Sequence, residues 1–274
     1  MRLKKNNIFL WLVFLSALTV VFQTSCSDDP DKGDFVPMDR FWEIYDKEFV
    51  MFVDYINRNE PFGDELFDGS WEIVLSHQDN EYSGAIDAVL KLNDELIEWD
   101  FNDNGSCSVE FDESFFEFGS VHKFELDLMG NKKIGNLRLM HPIILNTNPN
   151  TTFQPSKKFT LSWLLKKDPM TQFIISFLDD EGSDESEVTH TALYTSQRSY
   201  TLPANSIPED FESFGLGVIT FNFVEFENLA FLSGDVNIMW FGGDSEIDTR
   251  KIKNLRSADI LKQLRKSRGK GIIS

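Results

Sequence analysis

Hydrophobic and polar residues alternate along much of the chain after residue 70. The first such segment places Trp71, Ile73 and Leu75 on one side. The segments that follow carry Ile86, Ala88, Leu90 and Leu92; Ile97, Trp99 and Phe101; Cys107, Val109 and Phe111; Phe124, Leu126 and Leu128; and Leu137 and Leu139. Side chains of a strand point alternately to its two faces, so this pattern predicts antiparallel sheets with one buried face.

A segment rich in Asn, Thr and Pro, residues 146–155, interrupts the alternation and predicts a domain boundary. Beyond it the apolar positions are Phe159, Leu161 and Trp163; Phe173, Ile175 and Phe177; Tyr200 and Leu202; Ile219, Phe221 and Phe223; and Val236, Ile238 and Trp240. The two stretches together predict an all-β protein of two β-sandwich domains, immunoglobulin-like in pattern.

Residues 158–241 resemble a fibronectin type III or related immunoglobulin-like sandwich. The features that carry the resemblance are a strand ending in Trp163, a second strand Phe173 to Phe177, and Tyr200 to Pro203 before a long penultimate strand. They are similar to the sandwich modules in surface lipoproteins of Bacteroidetes nutrient-uptake systems. The resemblance implies a module that binds or spaces rather than one that catalyses.

Helical spacing occurs before the first strand and near the end of the chain. Apolar residues recur every three or four positions from Phe41 to Ile56, and Asp39 offers an N-cap, which predicts one N-terminal amphipathic helix. A second helix could begin at Ser257, with Ile260, Leu261 and Leu264 on one side. For this second segment we favour a solvated terminus over a basic helix lying on a membrane.

The first 26 residues have the organisation of an export signal. Arg2, Lys4 and Lys5 precede an apolar run, Ile8 to Phe22, which is followed by Thr24, Ser25 and Cys26. Cys26 after a small residue resembles a lipobox, although Gln23 occupies the position where many lipoboxes have Leu. Ser25 to Asp29 resemble the start of Bacteroidetes-type lipoproteins, in which acidic residues after the cysteine imply export to the outer face of the outer membrane. The resemblance implies acylation of Cys26 and a membrane partner through the lipid anchor; the alternative is ordinary signal cleavage.

Charge is distributed unevenly among the predicted parts of the chain. These are the signal 1–26, an acidic tether 27–38, a helix plus β-rich domain 39–150, a fibronectin III-like sandwich 151–249 and a basic tail 250–274. Residues 27–249 contain 44 Asp and Glu against 14 Lys and Arg, whereas the tail contains nine Lys and Arg against one Asp. The acidic body excludes nucleic acid as a partner and is compatible with neutral glycans, cationic peptides or Ca²⁺.

Two acidic segments are candidate calcium sites. Asp100, Asn102 and Asn104 follow the ligand spacing of an EF-hand loop, but Phe111 occupies the position of its bidentate Glu. Asn104-Gly105 between alternating segments is typical of a β-hairpin, which we favour. Asp179 and Asp180 begin a second acidic run that extends to Glu187, and here we favour a solvated loop. The sequence therefore predicts no cofactor, with weak Ca²⁺ binding as the alternative.

Aromatic residues offer the other candidate contacts. Trp71, Trp99, Trp163 and Trp240 share the apolar positions of strands, which predicts core packing. The candidates for ligand binding are instead loop residues of the first domain, Phe62, Phe67 and Tyr82. Cys107 is predicted to be a buried, inert thiol. The four histidines, His77, His122, His141 and His190, have no metal-ligand spacing.

The sequence contains no nucleophile elbow and no phosphate-binding loop. We therefore predict a surface-anchored, non-catalytic binding or adhesion lipoprotein, with a glycan or an envelope protein as its partner. One alternative is a structural subunit of an envelope complex that docks through the basic tail or a sheet edge. A carbohydrate-active enzyme is the third hypothesis, because acidic residues are plentiful but no catalytic pair can be identified from sequence.

Overall fold

The computed structural model describes residues 34–57, 69–79, 86–102, 106–146, 153–180, 187–208, 211–242 and 257–267. These residues are mostly β-strand, with two helices, α1 (Met38–Tyr45) and α2 (Ser257–Ser267). The strands are β1 Phe49–Asn57, β2 Gly69–His77, β3 Ala88–Leu92, β4 Glu95–Ile97, β5 Asp100–Asn102, β6 Ser106–Asp112, β7 Val121–Leu128, β8 Asn131–Arg138, β9 Ile144–Leu145, β10 Phe159–Leu164, β11 Thr171–Asp180, β12 Glu187–Leu193, β13 Ser199–Leu202, β14 Phe211–Glu225 and β15 Leu229–Gly242. The predicted fold class, β-sandwich with one N-terminal helix, is confirmed.

One large sheet runs through the molecule and two small sheets pack on it. The large sheet has eight strands in the order β12-β11-β14-β15-β1-β2-β6-β5. The small sheets have the orders β4-β3-β7-β8 and β13-β10-β9. β1 pairs with β15 in parallel, with Phe49 opposite Leu229, whereas β1 and β2 are antiparallel. The large sheet therefore takes strands from both sides of residue 150.

Both small sheets cover the same face of the large sheet, because alternate residues of β15 enter both cores. Leu229 and Phe231 lie in the core beneath the four-stranded sheet, which we call the N-terminal sandwich. Met239 and Phe241 lie in the core beneath the three-stranded sheet, the C-terminal sandwich. The opposite face of the large sheet is covered by α1 and α2, which share a third core with it.

The predicted helix from Phe41 to Ile56 is wrong in its second half. α1 ends at Tyr45, and residues 49–57 form the central strand β1. Apolar residues occupy successive positions there: Phe49 and Met51 pack into the N-terminal sandwich, while Val50 packs against the helices. A strand buried on both faces is a continuous apolar run, which also satisfies helical spacing.

The N-terminus of α1 also differs from the prediction. Pro37 is the N-cap residue and makes no side-chain cap, whereas Asp39 lies in the first turn. A proline ring fixes φ near its helical value, and an acidic side chain in the first turn interacts favourably with the helix dipole. Asp39 therefore stabilises this end of the helix electrostatically.

The interpretation of the tail as a solvated terminus is wrong for residues 257–267. They form α2, and Ile260, Leu261 and Leu264 are fully buried against the large sheet. Arg265 fixes the helix further, since its Nη1 donates to Gln78 O at 3.1 Å. Within the described residues, no helix combines the length and the apolar character that crossing a bilayer requires.

A polar strip separates the two sandwich cores on the covered face of the large sheet. It consists of Asn222, Ser233, Asp235 and Asn237, and it holds the segment that crosses between the small sheets. The bonds run from Met140 N to Ser233 Oγ (3.0 Å), from Ile143 N to Asp235 Oδ2 (2.6 Å), from Asn237 Nδ2 to Ile143 O (2.9 Å) and from Asn222 Nδ2 to Arg138 O (3.1 Å). Burial raises the pKa of Asp235 to about 7. The negative charge of Asp54 adds to this effect, and two backbone hydrogen bonds oppose it.

One predicted strand is divided in the structure. The alternation through Ile97, Trp99 and Phe101 spans β4 and β5, which belong to different sheets. The chain leaves the four-stranded sheet after Ile97 and enters the large sheet at Asp100. Trp99 is buried at this crossing, while Phe101 is 62% exposed.

Candidate functional site

An open cleft lies at the end of the N-terminal sandwich, beside the β1–β2 strand ends. Asn57 pairs with Gly69 there, and Ser70 pairs with Asp112 at the end of β6. A 3₁₀ turn, Glu113–Phe115, follows β6 directly. The cleft has a volume of about 940 Å³, at the upper end of the range for ligand pockets. Its lining residues are Gly69, Ser70, Glu110, Asp112, Glu113, Ser114, Phe116, Glu117 and Phe118.

Aromatic rings form a packed cluster beneath the cleft. Phe118 lies 5.0 Å from Trp71 and 4.9 Å from Tyr55, measured between ring centroids. Phe116 packs edge-on against Trp71 at 5.4 Å. Trp71 and Phe116 are buried, whereas Tyr55 and Phe118 are half-buried. Tilted and edge-to-face rings at these distances attract one another, so the cluster gives the cleft a rigid apolar base.

Two side chains of this region hold the turn that forms the cleft wall. The indole Nε1 of Trp71 donates to Glu113 O at 3.2 Å. The Tyr55 hydroxyl donates to the carboxylate of Glu113. Burial, and to a smaller extent the interaction with this carboxylate, raises the pKa of Tyr55 to about 12. Tyr55 therefore keeps its proton at neutral pH and remains a hydrogen-bond donor to Glu113.

Gly69 allows Tyr55 to approach the strand end. A Cβ at position 69 would lie 1.9 Å from the Tyr55 hydroxyl oxygen, which is far inside van der Waals contact. Any other residue would displace the tyrosine from Glu113. The glycine is thus required for the close packing that fixes the turn.

The polar lining of the cleft is strongly acidic. Among the described residues, every ionisable side chain that lines it is a carboxylate: Glu110, Asp112, Glu113 and Glu117. Ser70 pairs with Asp112, so its side chain lies on the face of the large sheet opposite Trp71; it is 7% exposed, and its hydroxyl has no hydrogen-bond partner among the described residues.

The predicted ligand-binding residues lie outside the described residues, but two of them adjoin this cleft in sequence. Phe62 and Phe67 belong to the segment 58–68, whose flanking residues Asn57 and Gly69 pair at the cleft. Tyr82, in the segment 80–85, lies outside the described residues as well. The same is true of Cys26, so its acylation stays a prediction.

The structure forms the hairpin strands predicted around the first calcium candidate. β5 pairs with β6, with Asp100 opposite Ser108 and Asn102 opposite Ser106. Asp100 is exposed on this edge strand. Asn104 lies outside the described residues, as does the side chain of Asn102, so the calcium alternative stays untested at this site.

The second calcium candidate lies at the end of β11. The pairing of β11 with β14 shifts register between Asp179 and Asp180, which marks a bulge. The side chains of both residues, and the segment 181–186, lie outside the described residues. Among described residues no group of three or more His, Cys, Asp or Glu is arranged to hold a metal ion.

The predictions for tryptophan and cysteine are confirmed. Trp71, Trp99 and Trp163 are buried in the sandwich cores. Trp240 packs partly buried against Phe177, at 5.4 Å between ring centroids. Cys107 is fully buried, and burial raises the pKa of its thiol to about 11, so the thiol is protonated at neutral pH.

Sequence reasoning missed the acidic cleft residues, although a signal for them exists. Glu110 and Asp112 alternate with the inward Val109 and Phe111, so they share the opposite side of β6. The aromatic, acid-rich stretch 113–118 follows without a break. Carboxylates that continue from a strand face into an aromatic, acid-rich turn indicate a polar surface at the end of the strand.

Comparison with known proteins gives no family. No protein-family model matches the chain, and no curated protein matches it. Among solved structures, the chain is similar to the human OSCAR ligand-binding domain at 10% identity and a TM-score of 0.22, covering 69% of this chain and 98% of that one. It is also similar to domains A168–A170 of titin, at 10% identity and a TM-score of 0.20, covering 69% and 60%. Scores this low carry no argument about function.

Proposed function

We propose that the protein is a lipid-anchored binding protein of the outer membrane, facing outward, and that its ligand occupies the acidic cleft. The observation that carries the proposal is the cleft itself. It combines a size suited to a ligand, carboxylates in its lining and a packed aromatic cluster that borders it.

Binding is proposed rather than catalysis because of the groups that line the cleft. Activation of a serine hydroxyl requires a base within hydrogen-bond reach, most often histidine. Among the described residues that line the cleft there is neither histidine nor lysine. The carboxylate of Glu113 is engaged by Tyr55.

The sequence supports the proposed membrane location. Cys26 would be acylated, and the acidic tether 27–38 would connect it to the fold, whose first described residue is Asp34. Two or more acyl chains anchor a protein stably, because each buried methylene contributes about 0.8 kcal/mol.

The anchor is tested by Cys26→Ala in the organism that makes the protein. We expect loss of fatty-acid labelling and release of the protein from the membrane fraction. Protease accessibility of intact cells measures whether the anchored protein faces outward. Unchanged labelling in the variant would reject the lipid anchor, and protection from protease would reject the outward orientation.

The binding site is tested by blocking the cleft. Ser114 is exposed in the cleft lining, so Ser114→Trp should fill it without disturbing the core. Ser199→Trp, at an exposed position of β13, is the matched control. The mature protein, purified with its anchor in detergent, is applied to glycan and peptide arrays. We expect Ser114→Trp to abolish a signal that Ser199→Trp keeps.

Two results would reject this use of the cleft. One is a bound ligand that resists Ser114→Trp as well as Ser199→Trp. The other is an absence of any array ligand together with stable co-purification of an envelope protein, which would favour the structural-subunit hypothesis.

A further inference from the structure

We infer that the folded part of the protein lies with one side against the phosphate-bearing headgroups of the membrane to which it is anchored. That side, which we call the docking face, surrounds the β9–β10 pair and consists of Arg138, Ile144, Leu164, Lys166 and Lys167. All five side chains are exposed. The inference rests on the proposed lipid anchor and adds the orientation of the fold on the lipid surface.

The tether enters the fold beside the β10–β11 loop, residues 165–170, which carries the two lysines. Thr195 N donates to Asp34 O at 2.8 Å, so the first described residue is fixed at the end of β12. Arg198 joins this point to the loop, because its Nη1 donates to Thr195 O at 2.7 Å and its Nη2 forms an ion pair with Asp168. The point where the tether leaves the fold therefore adjoins the docking face.

The tether is too short to let this point move far from the lipid. Asp34 is eight positions after Cys26, and a fully extended chain spans at most about 3.6 Å per residue, so the two residues are at most about 29 Å apart. Exposed rings of Phe35 and Tyr194 pack together here, with their centroids 5.2 Å apart. A tyrosine ring, apolar with a polar tip, is favoured at membrane interfaces. The anchor thus holds this side of the molecule toward the membrane.

The cations of the docking face have no anionic partners in the protein. In the described part of the chain, the side chains of Arg138, Lys166 and Lys167 form no ion pair. Burial lowers the pKa of His141, and the charges of these three cations lower it further, which places them around one ring. The charge of Glu117 opposes them with the smallest effect. Lysine and arginine are attracted to anionic headgroups, whereas the acidic remainder of the body is repelled by them.

An exposed aliphatic pair lies beside these cations. Leu164 of β10 pairs with Ile144 of β9, and the two side chains are 54% and 59% exposed. They point away from the core that contains Trp163, because neighbouring residues of a strand alternate between its faces. Aliphatic side chains next to lysine and arginine are typical of surfaces that rest in the headgroup region. An acidic protein partner would account for the cations but not for the position of the tether.

The experiment measures which side of the anchored protein approaches the lipid. Ser199→Cys places a fluorophore on β13 of the same small sheet, and Gln263→Cys places one on α2, behind the large sheet; both positions are exposed. Cys107 is fully buried with a protonated thiol and does not react, and Cys26 carries the anchor. The acylated mature protein is reconstituted in vesicles of phosphatidylcholine and phosphatidylglycerol that contain spin-labelled lipid as the quencher.

We expect quenching of the fluorophore at position 199 and little quenching at position 263. Quenching at position 199 should weaken in vesicles of phosphatidylcholine alone and as salt rises, because exposed charges are screened. Equal quenching at the two positions would overturn the orientation, as would quenching that is independent of both lipid charge and salt.

Charge variants separate the docking face from the other lysines. Lys166→Glu/Lys167→Glu should lower the ratio of docked to undocked protein at least about tenfold, since each lysine near an anionic surface contributes roughly fivefold. Lys157→Glu/Lys158→Glu makes the same charge change at exposed positions before the opposite end of β10 and should change the ratio less than about twofold. Equal losses in the two variants would overturn the inference.

The outcomes distinguish the orientation from the anchor. Flotation of the vesicles at high salt measures the anchor alone, because salt screens the docking face but does not release buried acyl chains. Protein that floats without quenching at position 199 would overturn this inference and leave an anchored binding protein. Protein that does not float lacks the anchor, which rejects the proposed location and this inference with it. Circular dichroism identifies any variant that fails to fold, and Lys166→Gln/Lys167→Gln then replaces the glutamate variant with the same expected direction.

Discussion

The two sandwiches share one sheet but end differently. In the C-terminal sandwich, Phe153 lies 4.9 Å from Phe214 and 5.2 Å from Phe241 between ring centroids, and all three rings are buried. In the N-terminal sandwich the corresponding cluster contains Tyr55 and Phe118, which are only half-buried, and Phe118 borders the cleft. The first cluster serves only packing, whereas the second both packs and supports a polar surface.

The difference shows that alternation predicts an apolar core but does not predict whether the end of that core is closed to solvent. Both sandwiches satisfy the same period-two pattern, so both contain an apolar interior. In the N-terminal sandwich, Tyr55 fills the space above Gly69, and the cleft lies beside the turn that follows β6. The proposed site lies where small and acidic residues occupy the strand ends beside an aromatic core.

The largest expected effect tests the closed core. Trp163→Ala should lower the free energy of unfolding by about 3–5 kcal/mol, because a large ring is removed from a fully packed interior. Its neighbour Leu164 is 54% exposed, so Leu164→Ala is the control and should change stability little. Denaturant unfolding followed by circular dichroism measures both. A loss under about 1 kcal/mol for Trp163→Ala would contradict a closed core.

The second effect tests the helix layer that both sandwiches share. Leu261→Ala should lower the free energy of unfolding by about 2–5 kcal/mol, since Leu261 is fully buried on the side of α2 that packs on the large sheet. Lys262 is exposed on the same helix, and Lys262→Ala should be nearly neutral. Equal melting temperatures for the two variants would contradict the packing of α2 on the sheet.

The third effect concerns the polar strip between the sandwiches. The pKa of Asp235 is raised from 3.8 to about 7, so the folded state holds this proton more tightly than the unfolded state. The contribution of this protonated carboxyl to the free energy of unfolding is present in full below about pH 4 and is lost as pH rises to about 7. Its size is at most about 4 kcal/mol. Asp235→Asn keeps an acceptor for Ile143 N and should abolish this pH dependence.

Urea unfolding of the wild type and Asp235→Asn between pH 4 and pH 8 measures the difference. Carboxyls whose pKa is lowered in the fold, such as Glu225, are present in both proteins and cancel in the comparison. Parallel stability curves over this range would contradict a raised pKa for Asp235.

The smallest effect concerns the wall of the cleft. Tyr55→Phe removes the hydrogen bond to Glu113 but keeps the ring, so it should cost only about 1 kcal/mol. Its larger consequence should appear in ligand affinity, because the carboxylate is no longer held. His122→Phe, another ring beside Phe116 but outside the cleft lining, is the control for ring packing. Full affinity in Tyr55→Phe would show that the turn is fixed without it.

The sequence predicts single-sided strands well because alternation is a local property. Trp71 with Leu75, and Phe159 with Trp163, lie on the buried faces that their spacing indicates. β1 was predicted as a helix because a strand buried on both faces has no alternation to detect. β12 was missed for a different reason: it is an edge strand, and its sequence from Glu187 to Leu193 is largely polar.

Long-range pairing and the site were beyond local reasoning. Nothing near Phe49 specifies Leu229 as its parallel neighbour, because the pairing depends on the packing of both small sheets. The cleft requires Ser70, Asp112 and Glu113 to meet across β2, β6 and the turn, and the abundance of acidic residues hides them in the sequence. The candidates Phe62 and Phe67 indicated this end of the molecule without identifying its carboxylates.

The parallel pairing of β1 with β15 also governs when the protein can fold. β1 is made early, but its partner Leu229 is synthesised 180 residues after Phe49. At roughly 5–20 residues per second, a ribosome needs on the order of 10–40 s to make the intervening chain. The centre of the large sheet therefore cannot close during most of translation, and contacts this distant in sequence also slow folding itself. Passage through a translocation channel requires an unfolded chain, so this delay would suit the export that the predicted signal implies.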